Sequence, residues 1–277
     1  MLDEPRPAQE GNDKIKAAIE EGKPFLASKI GSVERTVISD RVQFNHYHQQ
    51  TMFEASNNAG ISPGDVNTLD FFFDCYTGAL SSVSFLGLWP PTSEEAIVVQ
   101  NFAPQAECFS LRFMEPFYFD NPWSEALEGK KVLVIHPFEE DIVSQYKKRE
   151  LLWNHNVLPR FELKTIKSEQ TNGGGLNGNN LTFPEALEVM ISKMEKVDYD
   201  IAVIGCGAYG LILADFALAQ GKQAVHMGGG VQIMFGIKGR RWDHHPDISL
   251  MYNDHWCRPH ESTRPVRFNQ IEGGTYW

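Results

Sequence analysis

The sequence predicts an α/β fold: a Rossmann-like parallel sheet with helices on both faces and an aromatic-rich, mostly helical insertion. Three observations carry that expectation. From Lys130 onward, short apolar runs alternate with amphipathic stretches, the order of a parallel sheet covered by helices. The runs VLVI at 132–135 and IAVI at 201–204 are apolar throughout, as in strands buried on both faces. Residues 198–242 read as strand, glycine turn, helix, strand and a second glycine turn.

Composition sets the outer limits. The chain has 277 residues, enough to bury a large core in one domain, with 42% hydrophobic and 22% charged content. A formal net charge of -11 speaks against a nucleic-acid partner, which calls for a basic face. The four cysteines, Cys75, Cys108, Cys206 and Cys257, lie far apart and read as reduced thiols. No run approaches the length of a transmembrane segment, and residues 1–14 do not resemble a signal peptide. A cytoplasmic enzyme is the class these features favour.

In chain order, residues 1–12 are expected as a flexible tail and 13–277 as a single α/β domain. Residues 13–22 predict a helix with Ile15, Ala18 and Ile19 on one side. Residues 24–30 predict a strand, followed by a turn at Gly31 that opens a helix at 35–44. The segment 45–123 is cut by prolines and rich in Phe, Tyr and Trp; it is taken as a helical insertion whose rings fill a core. A helix at 144–153, a strand at 161–166 and an amphipathic helix at 184–196 come next. Between the last two, residues 171–180 form a glycine- and asparagine-rich loop, either a plain surface loop or a flap over a site. Residues 243–277 show no period and are expected to wrap back over the sheet.

The chemistry is expected at the carboxyl ends of the strands, where parallel sheets bind ligands. Gly205, Gly207 and Gly210 have the G-x-G-x-x-G spacing of a phosphate-binding turn, with Tyr209 among them; Gly228 and Gly229 come after the next strand. A dinucleotide enzyme would place an acidic residue about 20 positions on to hold a ribose, and His226 stands there instead. Asp198-Tyr199-Asp200 has D-x-D spacing but precedes its strand, on the edge away from the ligand side. The sequence His244-His245 invites a metal reading, but adjacent histidines on an irregular tail fit an exposed loop better.

The stretches KIGSVE, KKVLVIHPF, DYDIAVIGCGAYG and AVHMGGGVQIMFGIKGRRW resemble GT-D-type glycosyltransferases and their many relatives, most firmly over 127–242. The resemblance implies a nucleotide-sugar donor and transfer of a hexose to a glycan or glycoprotein acceptor. It also implies a D-x-E motif for a divalent metal, Mn²⁺ or Mg²⁺; the matching positions are Ser32 and Glu34, so the aspartate is replaced by serine. On this reading Glu34 is the catalytic or metal-holding carboxylate. Lys29, Gly31, Gly205, Gly207, Tyr209, Gly210, His226, Gly228, Gly229, Lys238 and Arg240 hold the nucleotide, with UDP the expected carrier. The alternatives are an NAD(P)-dependent oxidoreductase and a non-catalytic nucleotide-binding relative.

Overall fold

A computed structural model describes residues 4–89, 93–174, 180–265 and 267–277. Seven parallel strands form one sheet in the order β3-β2-β1-β7-β6-β4-β5. They are β1 (Leu26–Lys29), β2 (Phe85–Leu88), β3 (Glu107–Ser110), β4 (Lys131–His136), β5 (Glu162–Lys167), β6 (Ile201–Ile204) and β7 (Gln223–His226). The central register sets Leu26 opposite Ala224 and Ile204 opposite His226. Helices cover both faces, as a parallel sheet requires. They are α1 (Ala8–Glu21), α2 (Ser32–Phe44), α3 (Gln49–Glu54), α4 (Val66–Leu80), α5 (Ser93–Phe102), α6 (Glu139–Tyr146), α7 (Phe183–Met194), α8 (Tyr209–Ala219), α9 (Gly230–Met234) and α10 (Ile248–Met251).

Side chains alternate across the sheet, so each strand feeds two cores. Leu26, Leu86, Leu133, Ile135, Ala202 and Ile204 meet α4, α7 and α8 through Leu69, Phe72, Met190 and Leu211. Ala27, Val132, Val134, Val203 and Val225 point the other way, towards Ile15 and Ile19 of α1 and a wall of Phe109, Phe113, Trp123 and Trp256. Most aromatics of the middle segment are thus core residues, as expected.

The segment 45–123 is mostly helical, as expected, with α3, α4 and α5 in it, but it is not only an insertion. It supplies β2 and β3, which extend the sheet beyond β1. Both strands have only four residues, and Gly87, Glu107 and Ser110 interrupt their apolar character. The first residues also differ from a flexible tail. Helix α1 begins at Ala8, Asn12 is buried, and Arg6 exchanges backbone hydrogen bonds with Cys108 and Ser110 at 3.0 and 2.9 Å. The helix expected at 144–153 is displaced: α6 ends at Tyr146, and a 3₁₀ turn at Arg149–Leu151 comes after it. Of the glycine-rich loop at 171–180, residues 175–179 lie outside the described residues. The last residues do wrap back: Trp277 is buried against Phe138 with ring centroids 5.8 Å apart, and Asn57 Nδ2 donates to the Gln270 carbonyl at 2.8 Å.

Candidate functional site

A cavity of about 530 Å³ opens over the carboxyl ends of the strands, a volume typical of small-molecule sites. Its walls come from the residues after β1 (Lys29–Glu34), β4 (His136–Phe138), β5 (Ser168–Asn172), β6 (Gly205–Gly207) and β7 (Met227–Gly230). Trp89, the segment after β3 and the closing residues Glu272, Tyr276 and Trp277 complete it.

The glycines that make the walls thin act for separate reasons. A β-carbon at Gly205 would stand 2.6 Å from the Gly228 carbonyl oxygen, so the turns after β6 and β7 can touch only through glycine. Gly207 needs its freedom for a φ of 61°. Gly210 does not line the cavity; a β-carbon there would lie 2.2 Å from His226 Nε2, so it makes room for that ring. His226 is buried, with Nδ1 3.0 Å from Ser28 Oγ. Burial and the Lys29 charge push its basicity down to about 3, so the ring stays neutral. It occupies the position where a dinucleotide fold would hold a ribose. His136 is likewise neutral, pushed down to about 3 by burial, and its Nδ1 accepts from the Phe138 amide at 3.0 Å. That bond assigns the proton to Nε2.

Two long helices start at the cavity. Helix α2 begins at Ser32 after Gly31, and α8 begins at Tyr209 in the glycine turn. Each directs the positive end of its dipole there. Among the described residues, Lys29 is the cation lining the cavity with no salt bridge; Arg112 pairs with Asp247, and Arg241 with Glu272. Of the buried side-chain polar atoms without a hydrogen-bond partner among the described residues, four belong to lining residues: Ser168 Oγ, His226 Nε2, Gln232 Oε1 and Trp277 Nε1.

Glu34 lies at the third position of α2 and folds back over Gly31, where a β-carbon would come within 2.0 Å of its Oε2. Burial raises its carboxyl above the usual range, opposed by the Lys29 ammonium and by a hydrogen bond from its own backbone amide; Glu272 adds to the rise. Ser32, its expected partner, is exposed. Among the described residues no three His, Cys, Asp or Glu side chains gather for a metal ion. Glu34 is thus the one carboxylate of the expected motif, with the Lys29 charge acting on it and its own backbone amide hydrogen-bonded to it.

The structure thus brings Lys29, Gly31, Ser32, Glu34, Gly205, Gly207, Tyr209, His226, Gly228 and Gly229 around one cavity. Lys238 and Arg240 are not part of it. Lys238 Nζ sits 5.2 Å from the Tyr252 ring centroid, and Arg240 is exposed. Their neighbour Arg241 is the one that lines the cavity, its guanidinium 4.7 Å from the Tyr276 ring centroid. The D-x-D carboxylates lie at the opposite edge: Asp198 pairs with Lys131, and Asp200 Oδ2 accepts the Lys131 amide at 2.8 Å. His245 lines the cavity, but its Nδ1 accepts the Asp247 amide at 3.2 Å.

One acidic lining residue carries no signal in the sequence motifs. Glu115 comes after β3, and burial pushes its carboxyl up to about 7 against the pull of Arg112 and Lys29. Recognising β3 would have revealed it, because the strand-end rule then selects its neighbourhood.

Comparison with protein-family models, with curated proteins and with solved structures found no match.

Proposed function

We propose that the protein is a glycosyltransferase that moves a hexose from a nucleotide sugar, with UDP as the expected carrier, to a glycan or glycoprotein acceptor. The observation that carries this is the meeting of the two glycine turns, the α2 start and Lys29 around one cavity that also holds desolvated carboxyl groups. The turns that carry the resemblance to GT-D-type glycosyltransferases are the same turns.

A diphosphate would accept hydrogen bonds from the backbone at Cys206 and Gly207, with the α8 dipole behind it and Lys29 in front. The same groups would stabilise the charge that builds on the diphosphate as the sugar leaves. Glu34, beside Lys29 at the start of α2, would act as the base on the acceptor hydroxyl. The neutral His226 and the absence of an acid at the end of β7 give a dinucleotide no ribose anchor there. A divalent ion, where one is used, would be held by Glu34 together with the diphosphate oxygens.

The test is a thermal-shift panel of nucleotides and nucleotide sugars, with and without Mn²⁺. UDP or a UDP-sugar is expected to raise the melting temperature, and Glu34→Ala to abolish transfer. No response to any common nucleotide sugar would contradict the proposal. Micromolar binding of NADH or NADPH would favour an oxidoreductase instead, and nucleotide binding without turnover a non-catalytic nucleotide-binding protein.

A further inference from the structure

Residues 272–277 bring an oxyanion of the chain itself into the cavity. Arg241 belongs to the 3₁₀ turn Arg240–Trp242, and Glu272 to a second such turn at Glu272–Gly274. Both line the cavity, as does Tyr276. The Arg241 guanidinium lies 4.7 Å from the Tyr276 ring centroid and pairs with the Glu272 carboxylate. The backbone is tied at the same place. The Arg241 amide donates to the Thr275 carbonyl at 2.9 Å, and Gln232 Nε2 donates to the Tyr276 carbonyl at 2.9 Å.

These ties set the pair against both halves of the site. A β-carbon at Gly229 would stand 3.8 Å from Tyr276 Cε1, and one at the preceding Gly228 would stand 2.6 Å from Lys29 Cε. The ring that carries Arg241 and the side chain of Lys29 therefore flank one turn, the turn after β7. Towards α2, Glu272 adds to the rise that burial gives the Glu34 carboxyl. Burial likewise pushes the Tyr276 hydroxyl up to about 12, with Glu272 and Glu34 adding to the rise.

Three properties let the Arg241–Glu272 pair open. A guanidinium offers the same planar fork to a carboxylate and to a phosphate, so one can replace the other. The two side chains are 40% and 30% exposed, and ion pairs so open to water contribute little to stability. Glu272 has a φ of 47°, which a residue with a side chain holds at a cost. Gly273 and Gly274, with φ of 69° and 75°, continue the left-handed run and leave the backbone room to change.

We propose that Arg241 is a second cation of the diphosphate site, beside Lys29, and that Glu272 occupies it until the diphosphate of the donor takes the carboxylate's place. The choice of a diphosphate as the anion rests on the glycosyl-transfer reading of the site. No covalent bond changes in this exchange: the guanidinium gives up one oxyanion and takes another. Glu272 is then a competitor built into the chain, and the affinity of the site is lower than its two cations allow.

The experiment titrates UDP and inorganic pyrophosphate into the full chain by calorimetry, for the wild type, Arg241→Met, Glu272→Gln and the double variant. Arg241→Met is expected to weaken both ligands by about tenfold or more. Glu272→Gln should tighten both by about threefold or more, because no carboxylate has to leave the guanidinium. Added to Arg241→Met, it should have no effect, since the competition runs through the guanidinium. Thermal melts report the folding of each variant, and Glu272→Gln alone keeps the proposal testable if Arg241→Met does not fold. Unchanged or weaker binding in Glu272→Gln would make the pair a structural clasp and overturn the proposal. A gain that persists in the double variant would make Glu272 a distant charge and overturn the displacement. Unchanged binding in Arg241→Met would overturn the part given to Arg241. Each of these results leaves the glycosyl-transfer reading standing where the wild type binds UDP. Pyrophosphate binding with the expected pattern but no binding of UDP would keep the anion site and overturn the nucleotide-sugar reading. Binding of neither would overturn both.

Discussion

The Lys29 side chain lies across Gly228: a β-carbon at position 228 would stand 2.6 Å from Lys29 Cε and 3.2 Å from Nζ. This contact joins the end of β1 to the turn after β7, its neighbour at the centre of the sheet. It fixes where the cation meets the cavity. Gly228 also has a φ of 58°, which disfavours any side chain. Gly228→Ala should therefore fold, at a cost of about 1–2 kcal/mol, but with Lys29 pushed aside. UDP affinity should fall by about tenfold, which corresponds to ~1.4 kcal/mol. Titration calorimetry and thermal melts separate the two effects, and unchanged affinity would mean that Lys29 does not touch the diphosphate.

Lys29 also governs the carboxyl groups on either side of it, since it lowers both Glu34 and Glu115 against the larger effect of burial. Lys29→Met removes that restraint, and both carboxyls should hold their protons to higher pH. The acid limb of donor turnover should then move to higher pH, in addition to the loss in rate. A pH–rate profile of the variant checks this, and a limb that stays in place would show that Lys29 acts on neither carboxyl.

Glu115 has a consequence for stability that does not depend on any reaction. Its carboxyl is raised on folding from 4.5 to about 7. Between those values the folded protein binds the proton and the unfolded chain does not, so this group makes stability fall as pH rises through that window. Glu115→Gln removes the burden of a desolvated charge. It should be more stable than the wild type above about pH 7, by on the order of 1–3 kcal/mol. The difference should shrink to nothing below about pH 4.5. Urea titrations across pH give the answer, and parallel curves for the two proteins would contradict it.

Gly210 and Gly207 belong to one motif yet should respond differently. A β-carbon at Gly210 meets the His226 ring at 2.2 Å, and that ring is buried and tied to Ser28. Gly210→Ala should cost roughly 1–3 kcal/mol or more through overpacking. At Gly207 the nearest atom is the Ala59 carbonyl oxygen at 3.8 Å, so only the φ of 61° resists substitution. Gly207→Ala should cost about 1–2 kcal/mol. Chemical denaturation of the two variants tests the order, and the reverse order would show that the third glycine does not serve His226.

The legibility of these features in the sequence depends on the residues that carry them. Strands β4, β6 and β7 announce themselves as apolar runs that end in histidine or glycine, and β1 by its place before Gly31. The residues just past those strand ends make up most of the cavity. Strands β2 and β3 carry no such mark. They are four residues long, contain Gly87 and Glu107, and lie among prolines and aromatics that also suit a helical core. Trp89 and Glu115, which come after these strands, stay hidden with them. Lys238 and Arg240 mislead for another reason: nearness in sequence to Arg241 says nothing about side-chain direction in an irregular turn. The third glycine shows the limit of a motif, since its spacing is that of a phosphate turn while its use here is to seat His226.

Calorimetric titration of the wild-type chain with UDP, repeated with Lys29→Met and Gly228→Ala, tests directly whether the glycine turns and Lys29 form a diphosphate site. A single binding event in the wild type, weakened by about tenfold or more in each variant, is the expected result. No binding of UDP or any other nucleoside diphosphate to the wild type, or equal binding by all three proteins, would contradict it.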